Sequence, residues 1–395
     1  MAPSSGIPRG VWMLGFVSLF MDVSSELIHS LLPVFMVTSL GATALMVGVV
    51  EGVAEATALI VKVFSGTISD WLGKRKGLTV LGYGLGALSK PMFALALTVH
   101  WVFVARFMDR IGKGIRGAPR DALIADLTPP EIRGAAYGLR QSLDTVGAFL
   151  GPLLAVALML AWAGDFRTVF WFAVIPAVLS VLLLIFGVHE PGEGRAQLRP
   201  ASPVQWRMLS TFGGAYWWVV VAGGVFTLAR FSEAFLILRA QQLGLADTFA
   251  PLVLVIMNVI YALSAYPLGR LADRMNHQVL LGAGLVVLVL ADLVLAQAEG
   301  LAAVAMGVAL WGLHMGMTQG LLAAMVAGTA PVHLRGSAFG FFNLVSGVAM
   351  LIASVLAGLL WDRVGAATTF YAGAVFSGLA LLLLATKRER GFSPS

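Results

Sequence analysis

Long, predominantly apolar segments recur along the whole chain, and they constrain its fold more than any other feature. Twelve such segments are present, each close to the ~20 apolar residues that an α-helix needs to cross a bilayer. Charged residues make up only 12% of the 395, against about 25% in soluble domains. The apolar runs are continuous and do not alternate over ~10 residues, so a transmembrane β-barrel is excluded. The sequence therefore predicts an all-α membrane protein with twelve transmembrane helices.

Gly, Pro and charged residues separate these segments, and one long polar stretch divides the chain. The spans are predicted near 11–38, 44–67, 77–99, 101–123, 136–160, 167–187, 213–238, 249–270, 278–297, 301–325, 336–359 and 366–386. The stretch 189–212 is rich in Gly, Pro and charge, which is typical of a linker. We therefore predict an N-terminal six-helix bundle over 1–188, a cytoplasmic linker over 189–212 and a C-terminal six-helix bundle over 213–395.

The distribution of Lys and Arg predicts the orientation and accounts for the net charge of +6. Most loop Lys and Arg lie on the side of the two termini, which the positive-inside rule places in the cytoplasm. Basic loops are therefore topology signals, and no nucleic-acid partner is expected. The chain has no cysteine, so disulfides, thiolate metal sites and cysteine nucleophiles are excluded. Without a phosphate-binding loop, metal-ligand cluster or catalytic triad in the sequence, we expect no enzyme, cofactor or metal.

Two pairs of loops repeat between the halves of the chain. The loop after the second span places Asp70 four residues beyond Gly66, and the loop after the eighth places Asp273 four beyond Gly269. The loop TPPEIRGAAYG after the fourth span is echoed by APVHLRGSAFG after the tenth. A six-helix unit repeated in parallel is a transporter architecture, so the sequence predicts a duplicated transporter.

With these loops the chain resembles the major facilitator superfamily over essentially its whole length. The segment Gly66-x-x-x-Asp70-x-x-Gly73-Lys74-Arg75 is similar to the signature of that family, although Trp71 stands where an Arg is usual. The motif Gly147-x-x-x-Gly151-Pro152 is similar to one associated with antiporters. The resemblance implies two pseudo-symmetric six-helix bundles, both termini cytoplasmic, in a monomeric multi-pass protein of the bacterial inner membrane. It also implies a likeness to bacterial proton-coupled efflux antiporters.

In that family, charges at the cytoplasmic ends of the helices latch the two halves together. Carried over by position, the latch residues are Gly66, Asp70, Gly73, Lys74, Arg75, Arg116, Arg140, Asp144, Asp273 and Arg274. A purely structural network of buried salt bridges is the alternative for Lys62, Arg116, Arg120, Arg140 and Asp144.

Charged residues inside the predicted spans are concentrated in the N-terminal half. Each costs at least ~2.5–3.5 kcal/mol at mid-helix, so these residues must pair with one another or face water. At about 100° per residue, the acids of the first span share one face, and so do the bases of the fourth. We predict proton coupling by Asp22, Glu26, Glu51 and Glu55. The predicted substrate-binding residues are His29, Arg106, Asp109, Arg110, Lys113, Arg230 and Glu233.

Two of these assignments have alternatives. His29 is equally interpreted as a neutral, hydrogen-bonded histidine. Arg230 and Glu233 lie one turn apart and are equally interpreted as an internal ion pair.

The function predicted from these features is secondary active transport by alternating access, with a small molecule, protons and the lipid bilayer as partners. With Lys90 left out as peripheral, the core of the N-terminal half holds five acids against three bases: Asp22, Glu26, Glu51, Glu55 and Asp109 against Arg106, Arg110 and Lys113. This excess favours proton-coupled export of a neutral or cationic compound. The alternative is a carrier for an organic anion, such as a carboxylate or phosphate ester, held by Arg110, Lys113 and Arg230. A membrane sensor or a channel is a weaker alternative.

Overall fold

The computed structural model describes residues 6–72, 74–190, 211–272, 274–318, 320–331 and 334–386, apart from the side chains at 67 and 70, and these ranges contain no strand. Their α-helices are α1 Arg9–His29, α2 Leu32–Thr38, α3 Ala44–Leu72, α4 Arg75–Ala94, α5 Val99–Leu127, α6 Arg133–Ala161, α7 Phe166–Gly187, α8 Gly214–Leu228, α9 Ala234–Gln242, α10 Leu252–Ala272, α11 His277–Ala296, α12 Leu301–Thr318, α13 Leu321–Thr329, α14 Arg335–Arg363 and α15 Ala366–Thr386. The all-α membrane fold is confirmed. Most of the predicted linker falls on 191–210, which lie outside the described residues.

Nine helical segments among the described residues are long and apolar enough to cross a membrane. Three predicted spans are not among them, namely α4, α5 and the pair α8 and α9. α5 carries many charges, α4 combines three charges with four glycines, and α8 is a shorter apolar helix of 15 residues. Length and hydropathy therefore identify long apolar helices as membrane spans, but they miss spans that are short or that carry charges.

Three predicted spans are broken into two helices, and two of the breaks have a local cause. Gly320 separates α12 from α13 with a φ of 80°, a left-handed conformation that glycine adopts without a steric penalty. Pro33 lies just after the break between α1 and α2, and its ring removes the N–H that would continue the helical ladder. The break between α8 and α9 follows i→i−3 hydrogen bonds, such as the one that Arg230 N–H donates to the Thr227 carbonyl at 3.1 Å.

The chain forms two compact units. Unit 1 consists of Met1–Leu32 and Thr57–Pro203, and unit 2 consists of Pro33–Ala56 and Val204–Ser395. In unit 1, α1 packs against α6 and α7, while α4 packs against α5 and α7. In unit 2, α11 packs against α12 and α15, and α8 packs against α14. The first half of α3 belongs to unit 2 and its second half to unit 1.

Glycines bring α4 and α5 into backbone contact, which fixes the position of the charged face of α5. A Cβ atom on Gly112 would lie 2.5 Å from the carbonyl oxygen of Gly82, and one on Gly82 would lie 2.7 Å from the backbone nitrogen of Arg116. Real Cβ atoms do not approach so closely, so neither position accepts a larger residue without moving a helix. Helices that approach through small residues pack tightly in membranes.

Candidate functional site

The acids of α1 lie against α6, where glycines leave room for them. A Cβ atom on Gly147 would lie 3.0 Å from the Cβ of Asp22, and one on Gly151 would lie 2.8 Å from the Cβ of Glu26. The Glu26 carboxylate also lies 3.4 Å from the Nδ1 of His29, and both side chains are partly exposed, at 21% and 12%. The sequence Gly147-x-x-x-Gly151 thus forms the wall behind both acidic residues.

Three cations surround the buried carboxylate of Asp109 on α5. The Lys90 ammonium on α4 lies 2.7 Å from Asp109 Oδ1. Arg110 Nε lies 3.7 Å and Arg106 Nη1 lies 4.0 Å from Asp109 Oδ2. All four side chains are at most 3% exposed. Asp109 is thus a single carboxylate with three cations within 4.0 Å, all of them in unit 1.

Lys90 is therefore a member of this site, and leaving it out as peripheral was wrong. Its ammonium donates to the Ser25 hydroxyl at 3.0 Å as well as to Asp109, so it links α4 to α1 and α5. The signal that identifies it is in the sequence, because a lysine at mid-span is costly unless it is paired. The glycine contacts between α4 and α5, which bring the pair together, are not evident from the sequence.

The acids of α1 and the cations of α5 interact electrostatically. Glu26 interacts with Lys113 and Arg110, and Asp22 interacts with Arg116 and Lys113. Together with the Asp109 cluster they form what we name the central charge group: Asp22, Glu26, Lys90, Arg106, Asp109, Arg110, Lys113 and Arg116. All of its members belong to unit 1. It holds three carboxylates and five cations.

A second charge group in unit 1 is internally paired. Arg140 lies 2.7 Å from Asp144 and 3.9 Å from Asp121, and Arg120 lies 3.1 Å from Asp121. Arg120 also donates to the Ser18 hydroxyl. The Arg116 guanidinium of the central charge group lies 4.8 Å from the centre of the Tyr83 ring, a cation–π distance.

The remaining latch candidates of unit 1 lie near the start of α4. Arg75 Nε lies 3.1 Å from the Asp126 carboxylate, and the Glu190 carboxylate accepts from the backbone nitrogens of Arg75 and Lys76. Lys74 precedes α4 and is exposed, and Gly66 lies close to Ala118 on α5. Gly73, Asp273 and the side chain of Asp70 lie outside the described residues, and Arg274 is exposed in a turn of unit 2.

The other predicted proton and substrate residues belong to unit 2. Glu51 is buried and Glu55 half-buried on the first half of α3. Arg230 and Glu233 lie in the break between α8 and α9, where Arg230 interacts electrostatically with Glu233 and Tyr261. No group of three or more His, Asp or Glu residues suited to a metal ion occurs within the described ranges.

Comparisons with known proteins agree on one family. The Major Facilitator Superfamily model matches residues 14–349 and 219–394. An uncharacterized MFS-type transporter of Methanocaldococcus jannaschii is 31% identical over 389 residues, covering 96% of this chain and 95% of that protein. The multidrug resistance protein MdtH of Photorhabdus laumondii is 30% identical over 162 residues, 41% of this chain and 39% of its own. The crystal structure of the human organic anion transporter MFSD10 shares the fold with a TM-score of 0.67 at 18% identity, covering 95% of this chain and 99% of its own. The chain belongs to the Major Facilitator Superfamily and is a multi-pass membrane transporter.

Proposed function

We propose that this transporter works by alternating access and couples the movement of a small organic anion to protons. The observation that carries the substrate class is the charge of the central charge group, in which five cations face three carboxylates. The count from sequence alone, five acids against three bases, favoured a neutral or cationic compound instead.

The two counts differ because the first groups residues by predicted span and the second groups them by their contacts within unit 1. Lys90 is now counted because it lies 2.7 Å from Asp109, and Arg116 is counted because it interacts electrostatically with Asp22. Glu51 and Glu55 belong to unit 2, and the count made within unit 1 leaves them out. Asp144 interacts with Asp22 as well, but its own charge is matched by Arg140 at 2.7 Å. The excess in the central charge group therefore changes sign.

Within unit 1 the cations of the group outnumber its carboxylates, and the positive potential of such a group attracts an anion. Guanidinium groups bind carboxylates and phosphates through two parallel hydrogen bonds, which suits a carboxylate or phosphate ester. Arg106 and Arg110 are each 2% exposed, while Lys113 is exposed. Lys113 is therefore the cation that an entering anion meets first, and Arg110 is the stronger ligand behind it.

The same geometry supports a proposal for the sign of proton coupling. Protonation of Asp22 or Glu26 removes a negative charge that acts on Lys113, so the substrate meets a more positive potential at that residue. Because coupling between two binding sites is reciprocal, anion binding then favours protonation. Protons and anion bind together in this scheme, and the proposed carrier moves them in the same direction.

Binding to purified protein tests the proposal. We expect a radiolabelled small dicarboxylate to bind more tightly as pH falls from about 8 to about 6, because in this scheme a proton bound with the anion removes a competing negative charge. Arg110→Ala should abolish this binding, while Glu26→Gln should retain it and reduce its pH dependence. Lys74→Ala, which removes an exposed lysine outside the group, is the matched control and should bind normally. A lipophilic cation that binds instead, with the dicarboxylate never binding, would overturn the anion assignment.

A second candidate function is proton-coupled export of a neutral or cationic compound. It is supported by the 162-residue similarity to MdtH, a multidrug resistance protein by name, and by the antiporter-like glycines of α6 behind Asp22 and Glu26. In this case protons and substrate compete for the same carboxylates, so lower pH weakens binding. The direction of the pH effect therefore distinguishes the two candidates.

A further inference from the structure

Unit 2 contains a buried carboxylic acid that the proposed proton coupling by Asp22 and Glu26 does not use. Asp292 lies on α11 and is fully buried. Among the described residues, neither of its carboxyl oxygens has a hydrogen-bond partner. A Cβ atom on Gly373 of α15 would lie 2.6 Å from Asp292 Oδ2 and 3.0 Å from the Phe231 ring. The carboxyl group therefore lies against α15. Trp311 and Phe370 pack around Phe231, so the carboxyl group is in an apolar, aromatic environment.

The internal repeat shows what is missing from this environment. The spacing of Gly66 and Gly269 pairs Asp292 with Ser89, the neighbour of Lys90. In unit 1, Lys90 on α4 is neutralised by Asp109 on α5 at 2.7 Å. The equivalent of α5 in unit 2 is α12, whose 18 residues include no Asp, Glu, Lys or Arg. Asp292 therefore receives no counter-ion from the helix that supplies one in unit 1.

The other elements packed against α11 also leave Asp292 without a compensating charge. On α12 the titratable group is His314, whose Nδ1 pairs with the Gly284 carbonyl at 2.8 Å, two turns from Asp292. On α15 it is Tyr371, which is 42% exposed, and α13 has none. Arg239 on α9 reaches the end of α11, but its guanidinium donates to the carbonyls of Leu295, Ala296 and Ala298.

We propose that Asp292 is a second proton-binding site, occupied by a proton while α11 and α15 are in contact as they are here. An ionised carboxylate without hydrogen bonds or a counter-ion is strongly disfavoured in an apolar interior, whereas the neutral acid is tolerated. Loss of the proton requires α11 and α15 to separate enough for water to reach the carboxyl group. The site lies in unit 2, whereas Asp22 and Glu26 belong to unit 1.

Infrared spectroscopy of the purified protein in a maltoside detergent, which has no carbonyl group of its own, tests this directly. We expect wild-type protein at neutral pH to show the C=O stretch of a protonated carboxylic acid, and Asp292→Asn to lose the intensity of one such group. Asp22→Asn is the control and should retain the Asp292 band. Transfer to heavy water should shift the band, because a working site exchanges its proton. A spectrum unchanged by Asp292→Asn, or a band that never shifts in heavy water, overturns the proposal.

A second variant keeps the test independent of the folding of Asp292→Asn. Gly373→Ala would place a methyl group 2.6 Å from Oδ2, so we expect it to displace the carboxyl group and change the frequency of the same band. Gly378→Ala on the same helix is the matched control, because nothing lies within 4 Å of that position, and it should leave the band unchanged. Equal spectra for both glycine variants and the wild type would show that the band does not belong to Asp292.

Discussion

At the scale of single residues, the pairing of Lys90 with Asp109 is the feature on which the charge of the central group depends. Both side chains are buried, and their charged atoms are 2.7 Å apart. Breaking a buried ion pair by removing one partner costs about 3–5 kcal/mol, because the other charge remains in a low-dielectric environment. Arg106 and Arg110 stay near the Asp109 carboxylate, which places the expected cost at the lower end of that range.

We therefore expect Lys90→Met to destabilise the protein by ~3 kcal/mol, measured as a lower midpoint of thermal unfolding in detergent. Lys74→Met removes an exposed lysine and should leave the midpoint within the scatter of the wild type. Asp109→Asn should destabilise in the same direction, since it leaves Lys90 without its carboxylate. Equal midpoints for Lys90→Met and Lys74→Met would mean that the buried pair contributes nothing to stability.

At the scale of helices, the contact of α1 with α6 places both acids of the proposed coupling pair. A Cβ atom on Gly147 would lie 2.7 Å from the Leu19 carbonyl oxygen, and one on Gly151 would lie 2.9 Å from the Val23 carbonyl oxygen. A side chain at either glycine must push α1 away from α6. Overpacking of this kind typically costs about 1–3 kcal/mol.

For Gly151→Leu we expect a loss of stability of ~2 kcal/mol together with altered proton coupling, because Glu26 moves with α1. Gly138→Leu, on the same helix where nothing lies within 4 Å, is the matched control. The two variants are compared by thermal unfolding and by the pH dependence of dicarboxylate binding. A Gly151→Leu protein with normal stability and normal pH dependence would show that α6 does not position Glu26.

The helices also show how much of the structure could be predicted from the sequence. The apolar runs and repeated loops were sufficient to predict the all-α transporter fold, because burial of backbone groups in lipid permits few alternatives. The break at Gly320 was not predicted, since a glycine inside an apolar run is also compatible with a continuous helix. Lys90 was missed because its partner lies on another helix, 19 residues away in sequence. Periodicity assigns a residue to a face of its own helix, but which helix packs there depends on tertiary contacts.

At the scale of the whole molecule, the proposed alternating access would break contacts between spans from the two sequence halves. One such contact lies inside unit 2, between the start of α3 and the end of α14. The Asp362 carboxylate accepts from the backbone nitrogens of Ala44 at 3.1 Å and Leu45 at 2.9 Å. A carboxylate at a helix N-terminus is stabilising, by about 0.5–2 kcal/mol. The contact is tight, because a Cβ on Gly358 would lie 2.5 Å from the Ala44 carbonyl oxygen.

Asp165 provides a matched comparison for Asp362, since it caps α7 within unit 1 by accepting from the backbone nitrogen of Arg167. The Thr168 hydroxyl, which donates to the same carboxylate, lowers the pKa of Asp165. A lowered folded-state pKa means that this stabilisation is complete above the ordinary aspartate value and is lost only as pH falls through the lowered value. At neutral pH Asp165 is therefore a fully charged helix cap. Unlike Asp362, it caps a helix of its own half of the sequence.

We predict that Asp362→Asn shifts the conformational equilibrium away from the arrangement described here, while Asp165→Asn does not. The chain has no cysteine, so Ala44→Cys introduces a single thiol at a position that is only 6% exposed in this arrangement. Loss of ~1 kcal/mol at the α3 cap corresponds to a roughly fivefold faster reaction of this thiol with a maleimide, because α3 and α14 separate more often. In the same Ala44→Cys background, Asp165→Asn should label at the parent rate. Equal labelling rates in all three proteins would show that the Asp362 cap stabilises a helix end and has no part in the conformational cycle.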